Sequence, residues 1–487
     1  MDDKTLTPTS EREPTAWTLG LCLLMASAVL AGCASPGVRP PVRGGATVPA
    51  QWQYGAPVDN AAASMPAASG AASAWSFDER WWTRFNDSAL NALIDRALAR
   101  NPDLAISALR VRQAQLRAGL ADSARLPSVS GRVGADASRR IDQSAATNRG
   151  ASASLAASWE IDLWGRLAAQ SDAARFELQA TEDDRRAVGL ALVGTTAQLY
   201  WQLAYLDQRV AAGEQSLDYA RRTLQLVAAQ HVSGKVSGLE EAQARQAVSA
   251  QQAAQSQLQQ QRVEARLALA LLLDEPAQTA PLPTAPVLPM GELPSVPVGV
   301  PAEVLSRRPD LRAAEARLKS SFVNVDVTRT SYYPSLSLTS SLGSSSDALS
   351  RVLSNPVGAL GAALSLPFLQ WRDMQRNVAI SQADADAAVI TFRQTLYQAL
   401  SDVDQALSAG TQAQVQVAAQ DDRLAQARTV ERLTELRYRS GAEPLKAWLD
   451  AQEARRQAEV SSAQARYDQL GQWITLVQSL GGGVPGL

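Results

Sequence analysis

The tightest constraint on this chain is a long stretch with nothing in it to stop a helix. From Gly165 to His231 there is no proline, and glycine occurs only at 165, 189, 194 and 213. Leu192, Leu199 and Leu206 fall seven apart. The leucine register then jumps by four, and the spacing of seven resumes at Val210, Leu217 and Leu224. Apolar residues every seven positions describe a coiled-coil seam, and a four-residue insertion unwinds it locally. At ~1.5 Å per residue such a helix reaches roughly 100 Å, against ~11 residues for an ordinary globular helix. Arg372 to Arg439 is a second stretch of matching length. The rest of the chain has to pair, anchor and cap these two rods.

Ahead of the rods, Trp17 to Gly32 is apolar and rich in small residues, which predicts a secretory signal over 1–32. The signal carries Lys4 and Arg12 against Asp2, Asp3, Glu11 and Glu13, and the remainder holds 44 basic and 44 acidic residues. Balanced charge without a basic block gives no footprint for nucleic acid. Cys22 lies inside the signal, so Cys33 is the one remaining thiol, and a disulfide framework or a cysteine zinc site is excluded. No later apolar run reaches ~18 residues, so no membrane-crossing helix is expected. Residues 33–80 are rich in Ala, Pro, Gly and Ser and read as an extended arm.

Beyond the arm the chain repeats itself. Asn101-Pro102-Asp103-Leu104 returns as Arg308-Pro309-Asp310-Leu311, and Leu126-Pro127-Ser128-Val129 as Tyr333-Pro334-Ser335-Leu336. Trp164 returns as Trp371 and Ser233-Gly234 as Ser440-Gly441, all at one offset of 207. A constant offset over this length indicates duplication. It divides the chain into repeat 1 (81–273), a linker (274–301) with eight prolines, repeat 2 (302–480) and a tail (481–487). Each repeat opens with short helices and then switches to a period of two, at about 127–164 and 334–369. Val129, Gly131 and Val133 alternate with Ser130 and Arg132; Leu155, Trp159 and Ile161 alternate with Ser154, Ser158 and Glu160. In the second hairpin Leu336, Leu338 and Leu342 alternate with Ser337 and Ser341, and Leu360, Leu364, Leu366 and Phe368 share one face. Trp159 belongs to the apolar face and suits an interfacial aromatic belt, while Trp164 suits the junction of barrel and helix.

Hairpins with one greasy and one polar face suit an outer-membrane barrel. Four strands cannot close one, and open edges do not survive in lipid. Two copies would give eight strands and a filled interior; three would give twelve and an open bore. The expected fold is therefore mainly α with transmembrane β. If the object is a conduit, three copies is the smallest number that works.

These residues resemble the outer membrane factors of tripartite efflux systems, in the TolC-like superfamily and its lipoprotein branch. The resemblance is carried by Leu30-Ala31-Gly32-Cys33, which is similar to a lipobox, by Trp159-Glu160-Ile161-Asp162-Leu163-Trp164-Gly165-Arg166 and by Arg437-Tyr438-Arg439-Ser440-Gly441. Leu449-Asp450-Ala451-Gln452 and Leu480-Gly481-Gly482-Gly483 complete it. It implies acylation of Cys33, and Ala34, where an aspartate would mean inner-membrane retention, implies an outer-membrane anchor. It implies a homotrimer whose twelve-stranded barrel, four strands per chain, continues into a long periplasmic α-helical tunnel, and which docks a periplasmic adaptor at Gly234, Ser440 and Gly441 and works with an inner-membrane pump. It also implies a periplasmic gate at Asp450, where threefold symmetry would form a carboxylate ring that favours cations. Lys446 and Glu453 depart from the usual gate residues, and an ion pair from Lys446 to Asp450 fits their i,i+4 spacing. The function implied is a passive exit duct for drugs or other small molecules; the alternative is a duct for type I protein secretion. A periplasmic adaptor would instead interrupt its helical hairpin with β modules, and a purely structural coiled coil would not conduct. His231 is the single histidine, a seam or tip residue by position. No nucleophile triad, phosphate loop, cofactor motif or metal set is recognisable, so no enzyme is expected.

Overall fold

The computed structural model divides into Met1–Gly45 and Ala46–Leu487. It describes residues 47–54, 80–139, 147–280, 287–289, 291–296, 298–299, 301, 306–346 and 356–482, all in the second unit. The signal and Cys33 lie outside the described residues.

Each repeat unfolds in the same order. Repeat 1 holds a 3-10 turn (Trp81–Phe85), α1 (Ser88–Arg100), α2 (Pro102–Ser123), β1 (Ser128–Ser138), β2 (Asn148–Ile161), α3 (Arg166–Val232) and α4 (Gly238–Leu272). Repeat 2 holds α5 (Pro309–Thr330), β3 (Ser335–Ser346), β4 (Pro356–Ser365), α6 (Trp371–Arg439) and α7 (Leu445–Ser479). The second hairpin ends sooner than its alternation suggests. Leu366 and Phe368 are not strand residues, because Pro367 cannot donate to a ladder and opens a 3-10 turn, Pro367–Gln370.

The strands form one antiparallel sheet in the order β1-β2-β3-β4. Its central ladder joins the repeats, from Ala151 opposite Ser346 to Ile161 opposite Leu336. The register puts Gly131, Leu155, Leu342 and Gly358 in one row and Arg132, Ser154, Gly343 and Val357 in the next. Val133 is 78% and Leu360 89% exposed, and both lie on the apolar face. Trp159 shares that face, opposite Leu338, and its Nε1 donates to the Arg125 carbonyl at 3.0 Å. Trp164 sits at the junction of sheet and rod, donating to the Pro334 carbonyl at 2.7 Å with its ring edge-on to Tyr333.

The seam of α3 corrects the leucine reading. Past Leu206 Val210 is buried as expected, but the buried row seven apart is Gly213, Ala220 and Val227, joined by Ser216 and Thr223, while Leu217 and Leu224 are only half-buried. The heptad therefore runs on without an insertion, and only the residue size changes. Small residues let α4 come close. The Gln255 side chain fills the notch over Gly213, where a Cβ would meet its Oε1 at 2.1 Å, and its Nε2 donates to the Val210 carbonyl at 3.2 Å. Higher on the same rod Gln478 of α7 fills the notch over Gly194 and donates to the Leu190 carbonyl at 3.1 Å.

The core gathers where the short helices meet the rods. Trp81, Trp82, Ile94, Trp201, Leu269 and Ile474 are fully buried there. Part of the linker is stapled to this core: Trp473 Nε1 donates to the Pro294 carbonyl at 2.8 Å and Trp52 Nε1 to the Gly299 carbonyl at 3.0 Å.

The duplication is visible in single bonds. Asn101 caps α2 and sends Nδ2 to the Leu272 carbonyl at 3.0 Å; Arg308, 207 residues on, sends Nη1 to the Ser479 carbonyl at 3.1 Å. Arg308 also pairs with Asp310 at 2.7 Å and with Asp402 at 3.1 Å. Burial alone would push the Asp310 carboxyl up, but the Arg308 guanidinium outweighs it and holds that carboxyl below its usual range. The pairing thus stabilises the fold above the ordinary carboxylate range and is lost as pH falls through the lowered value. Arg308→Ala is expected to cost about 2–4 kcal/mol, by stranding two carboxylates and two carbonyls. Asn101→Ala is expected to cost about 1 kcal/mol, the usual loss of a cap. Thermal midpoints followed by circular dichroism should rank wild type, Asn101→Ala and Arg308→Ala in falling order.

Candidate functional site

The site predicted from sequence lies at the two helix-to-helix turns. Gly234 (φ 72°) and Gly441 (φ 78°) both take the left-handed backbone region, which a Cβ disfavours by about 1–2 kcal/mol. Each closes its rod in the same way. Lys235 N–H donates to the Gln230 carbonyl at 2.9 Å, and Ala442 N–H to the Arg437 carbonyl at 2.8 Å, satisfying carbonyls the helix end leaves free. Ser233 and Ser440 each turn Oγ onto the carbonyl three residues back, at 2.9 Å. The turns differ in how the return helix starts. Ser237 and Glu240 form a reciprocal capping box on α4, whereas Pro444 precedes α7. His231 is a tip residue, with Nδ1 3.1 Å from the Val236 carbonyl and Nε2 3.8 Å from Glu241.

Lys446, Asp450 and Glu453 stand at i, i+4 and i+7, so they share one exposed face of α7. The opposite face buries Leu445, Trp448, Ala451 and Gln452. Lys446 Nζ meets the two Asp450 oxygens at 2.7 and 3.0 Å. Glu453 pairs with Arg456, whose Nε is at 3.1 Å. The Asp450 carboxylate thus already has a cation beside it.

Two features were not read from the sequence. The first is an aromatic tie between the tips. The Tyr438 ring stacks on Trp448 with centroids 5.1 Å apart and donates its hydroxyl to Gln230 Oε1 at 2.8 Å. Tyr219 meets the edge of Trp448 at 6.1 Å, and Val227 and Ala244 close the cluster. A signal for it existed: Tyr438 is the repeat counterpart of His231, and Trp448 is the one aromatic residue in the first turns of its helix. The second is a charge lattice above the tie. Arg455 pairs with Glu431 and, at 2.7 Å, with Glu459, which Arg428 approaches at 3.5 Å. Arg466 and Ser462 both reach Asp421 at 2.6 Å. These groups border a groove of about 820 Å³ between the two helix pairs. Its lining holds Arg209, Arg428, Arg455, Arg456 and Arg466 against Asp421, Glu453 and Glu459, so it leans positive.

Glu431 is buried beside this groove. Burial pushes its carboxyl up; Glu435 and Glu459 add to the rise, and Arg455 opposes it. A folded-state value above the unfolded one means the group stabilises the protein below the unfolded value, and that gain is lost as pH rises through the folded one. Glu431→Gln, a neutral isostere, is therefore expected to raise the thermal midpoint at pH 7. It should also shrink the gain in midpoint that wild type shows on going from pH 7 to pH 5. Melts at both values check this; an unchanged difference between them would contradict the assignment.

The family described as outer membrane efflux protein matches residues 93–275 and again residues 300–482. Both ends of the second match lie 207 residues beyond those of the first, the offset of the repeat. A pyoverdine export outer membrane protein of Pseudomonas putida is 36% identical, over 95% of this chain and 97% of its own length. The cation efflux system protein CusC of Escherichia coli is 30% identical, over 83% of this chain and 88% of its own. Among solved structures, the outer-membrane channel OprN superposes with a TM-score of 0.79 at 26% identity, over 92% of this chain and 99% of that one.

Proposed function

Because the chain belongs to the outer membrane efflux protein family, we propose that three copies of it form a passive exit duct through the outer membrane. The observation that carries this reading is the sheet. One face exposes Val129, Val133, Leu155, Leu342 and Leu360, and within the chain β1 and β4 each have a partner on one side only. Such a face suits lipid, and such edges must be joined to another copy there. The rods also call for a further copy. Ile380, Ile390, Val415, Val430 and Leu433 leave apolar surface exposed along α6, which a neighbouring rod would cover.

The helix tips are then the periplasmic end. Gly234, Ser440 and Gly441 present them to a periplasmic adaptor, and Val232 and Leu239, 89% and 65% exposed beside Gly234, add the apolar surface that docking needs. Lys446, Asp450 and Glu453 form the gate. Its ring is one of ion pairs rather than of bare carboxylates, so repulsion among the Asp450 side chains contributes little to its opening. The inner-membrane pump supplies the energy, and the duct itself performs no chemistry. Acylation of Cys33 holds the arm to outer-membrane lipid. The two relatives are named for different cargoes, pyoverdine and cations, so the family spans more than one class of cargo.

The test is conduction. Detergent-purified chain should run as a trimer and give discrete steps in planar bilayers; a monomer without conductance would overturn the reading. Lys446→Ala should uncover the Asp450 ring, so the reversal potential in a KCl gradient should move toward that of potassium. Cys33→Ser should abolish fatty-acid labelling of the protein yet leave its conductance in bilayers intact.

A further inference from the structure

Charge is almost absent from the strands. β3 and β4 carry none, and β1 and β2 carry Arg132, Asp136, Arg149 and Glu160. Three of these stand near strand ends. Arg132 does not: it is the fifth of eleven residues in β1, exposed, and level with Ser154, Gly343 and Val357 across the sheet. Its face is the polar one. Neighbouring β1 residues, Val129, Gly131 and Val133, share the opposite face with Leu155 and Leu342. An arginine turned to lipid at this depth would cost ~2–4 kcal/mol, so the apolar face takes the lipid and Arg132 takes the bore.

The bore around it is built small. Ser130 and Gly134 flank it on its own strand, and Ser152, Ser154 and Gly343 face it across the ladders. No ion pair or hydrogen bond is drawn to Arg132 among the described residues. Glu160, six residues from the Arg132 row and so ~20 Å away along its strand, is already held by Arg166 at 2.8 Å. Asp136 stands four residues toward the hairpin loop, ~13 Å away, beyond the ~8 Å over which charge is felt at physiological salt. The counterpart of Arg132 in the second repeat is Thr339, so three chains bring three guanidiniums to one level rather than six.

We infer that Arg132, repeated three times, forms a cationic ring midway along the outer-membrane bore that binds anionic solutes as they leave. This deepens the duct reading and rests on it. Twelve tilted strands at ~4.8 Å spacing put the backbone roughly 12 Å from the axis. A guanidinium reaching inward from there lies within a screening length of any solute on the axis. Rings of arginine set anion preference in pores by the same physics. Arginine also offers paired N–H donors that fit carboxylate, phosphate and sulfonate oxygens. The ring therefore selects the charge class of cargo at the exit, whatever pump loads the duct.

The probe is inorganic pyrophosphate, added to each side in turn of trimers reconstituted in planar bilayers. It should reduce the wild-type current, and in Arg132→Ser the half-blocking concentration should rise about tenfold or more. Serine already occupies Ser130 on the same face, so this variant keeps the alternation, and a trimer band on gels confirms assembly. Arg132→Lys should retain most of the block, and Arg132→Glu should lose it and shift the reversal potential toward potassium. Equal block in wild type and Arg132→Ser, or no block in wild type, overturns the ring while leaving the duct standing. Absence of conductance from every chain removes the duct itself, and the ring with it.

Discussion

A backbone N–H or C=O in hydrocarbon has no water to turn to, and each one left unpaired costs several kcal/mol. The outer edges of β1 and β4 are rows of such groups. Most other features follow from the need to complete these edges. The central ladder between β2 and β3 welds the repeats into one sheet, so the chain presents two edges instead of four. The apolar face exposes bulky side chains, which water penalises and lipid does not. With both edges shared between neighbouring copies, the sheet closes and its polar face becomes the wall of a bore.

The rods meet a different demand. Rods of 67 and 69 residues cannot fold around a single core. They hold together by local seams, and the seams are thin where glycine, serine and alanine replace leucine. Thin seams carry little apolar burial, so polar side chains supply the specificity. Gln255 over Gly213 and Gln478 over Gly194 each fill a notch and bond a helix carbonyl. Near the tips the Tyr438–Trp448 stack and the Arg455 lattice take that role. Ion pairs on exposed faces contribute little each.

Much of the architecture was legible in the residues. The offset of 207, the proline breaks and the switch from helical to twofold period located every rod and hairpin. The Gly234 and Gly441 turns and the pairing of Lys446 with Asp450 follow from spacing alone. The errors share one cause. Leu217 and Leu224 looked like seam residues because leucine is the usual mark of burial, yet the seam is occupied by Gly213, Ala220 and Val227. Leu366 and Phe368 looked like strand residues because the alternation ran on past a proline. In both cases composition imitated a pattern that backbone geometry denied. The aromatic tie went unread because Gln230, Tyr438 and Trp448 belong to three different helices, and single aromatic residues do not name their partners.

The sequence by itself determined the period of every element, the duplication and the fact that one chain is incomplete, because these depend on local spacing and on the number of strands. It also placed Arg132 on the polar side of its strand. Only the tertiary structure decided which charges are compensated and which stand alone. Asp402 and Asp421 meet Arg308 and Arg466 from outside their own helix, whereas Arg132 is surrounded by serine and glycine. That difference turns on distances between residues far apart in the chain, which alternation and offset do not encode.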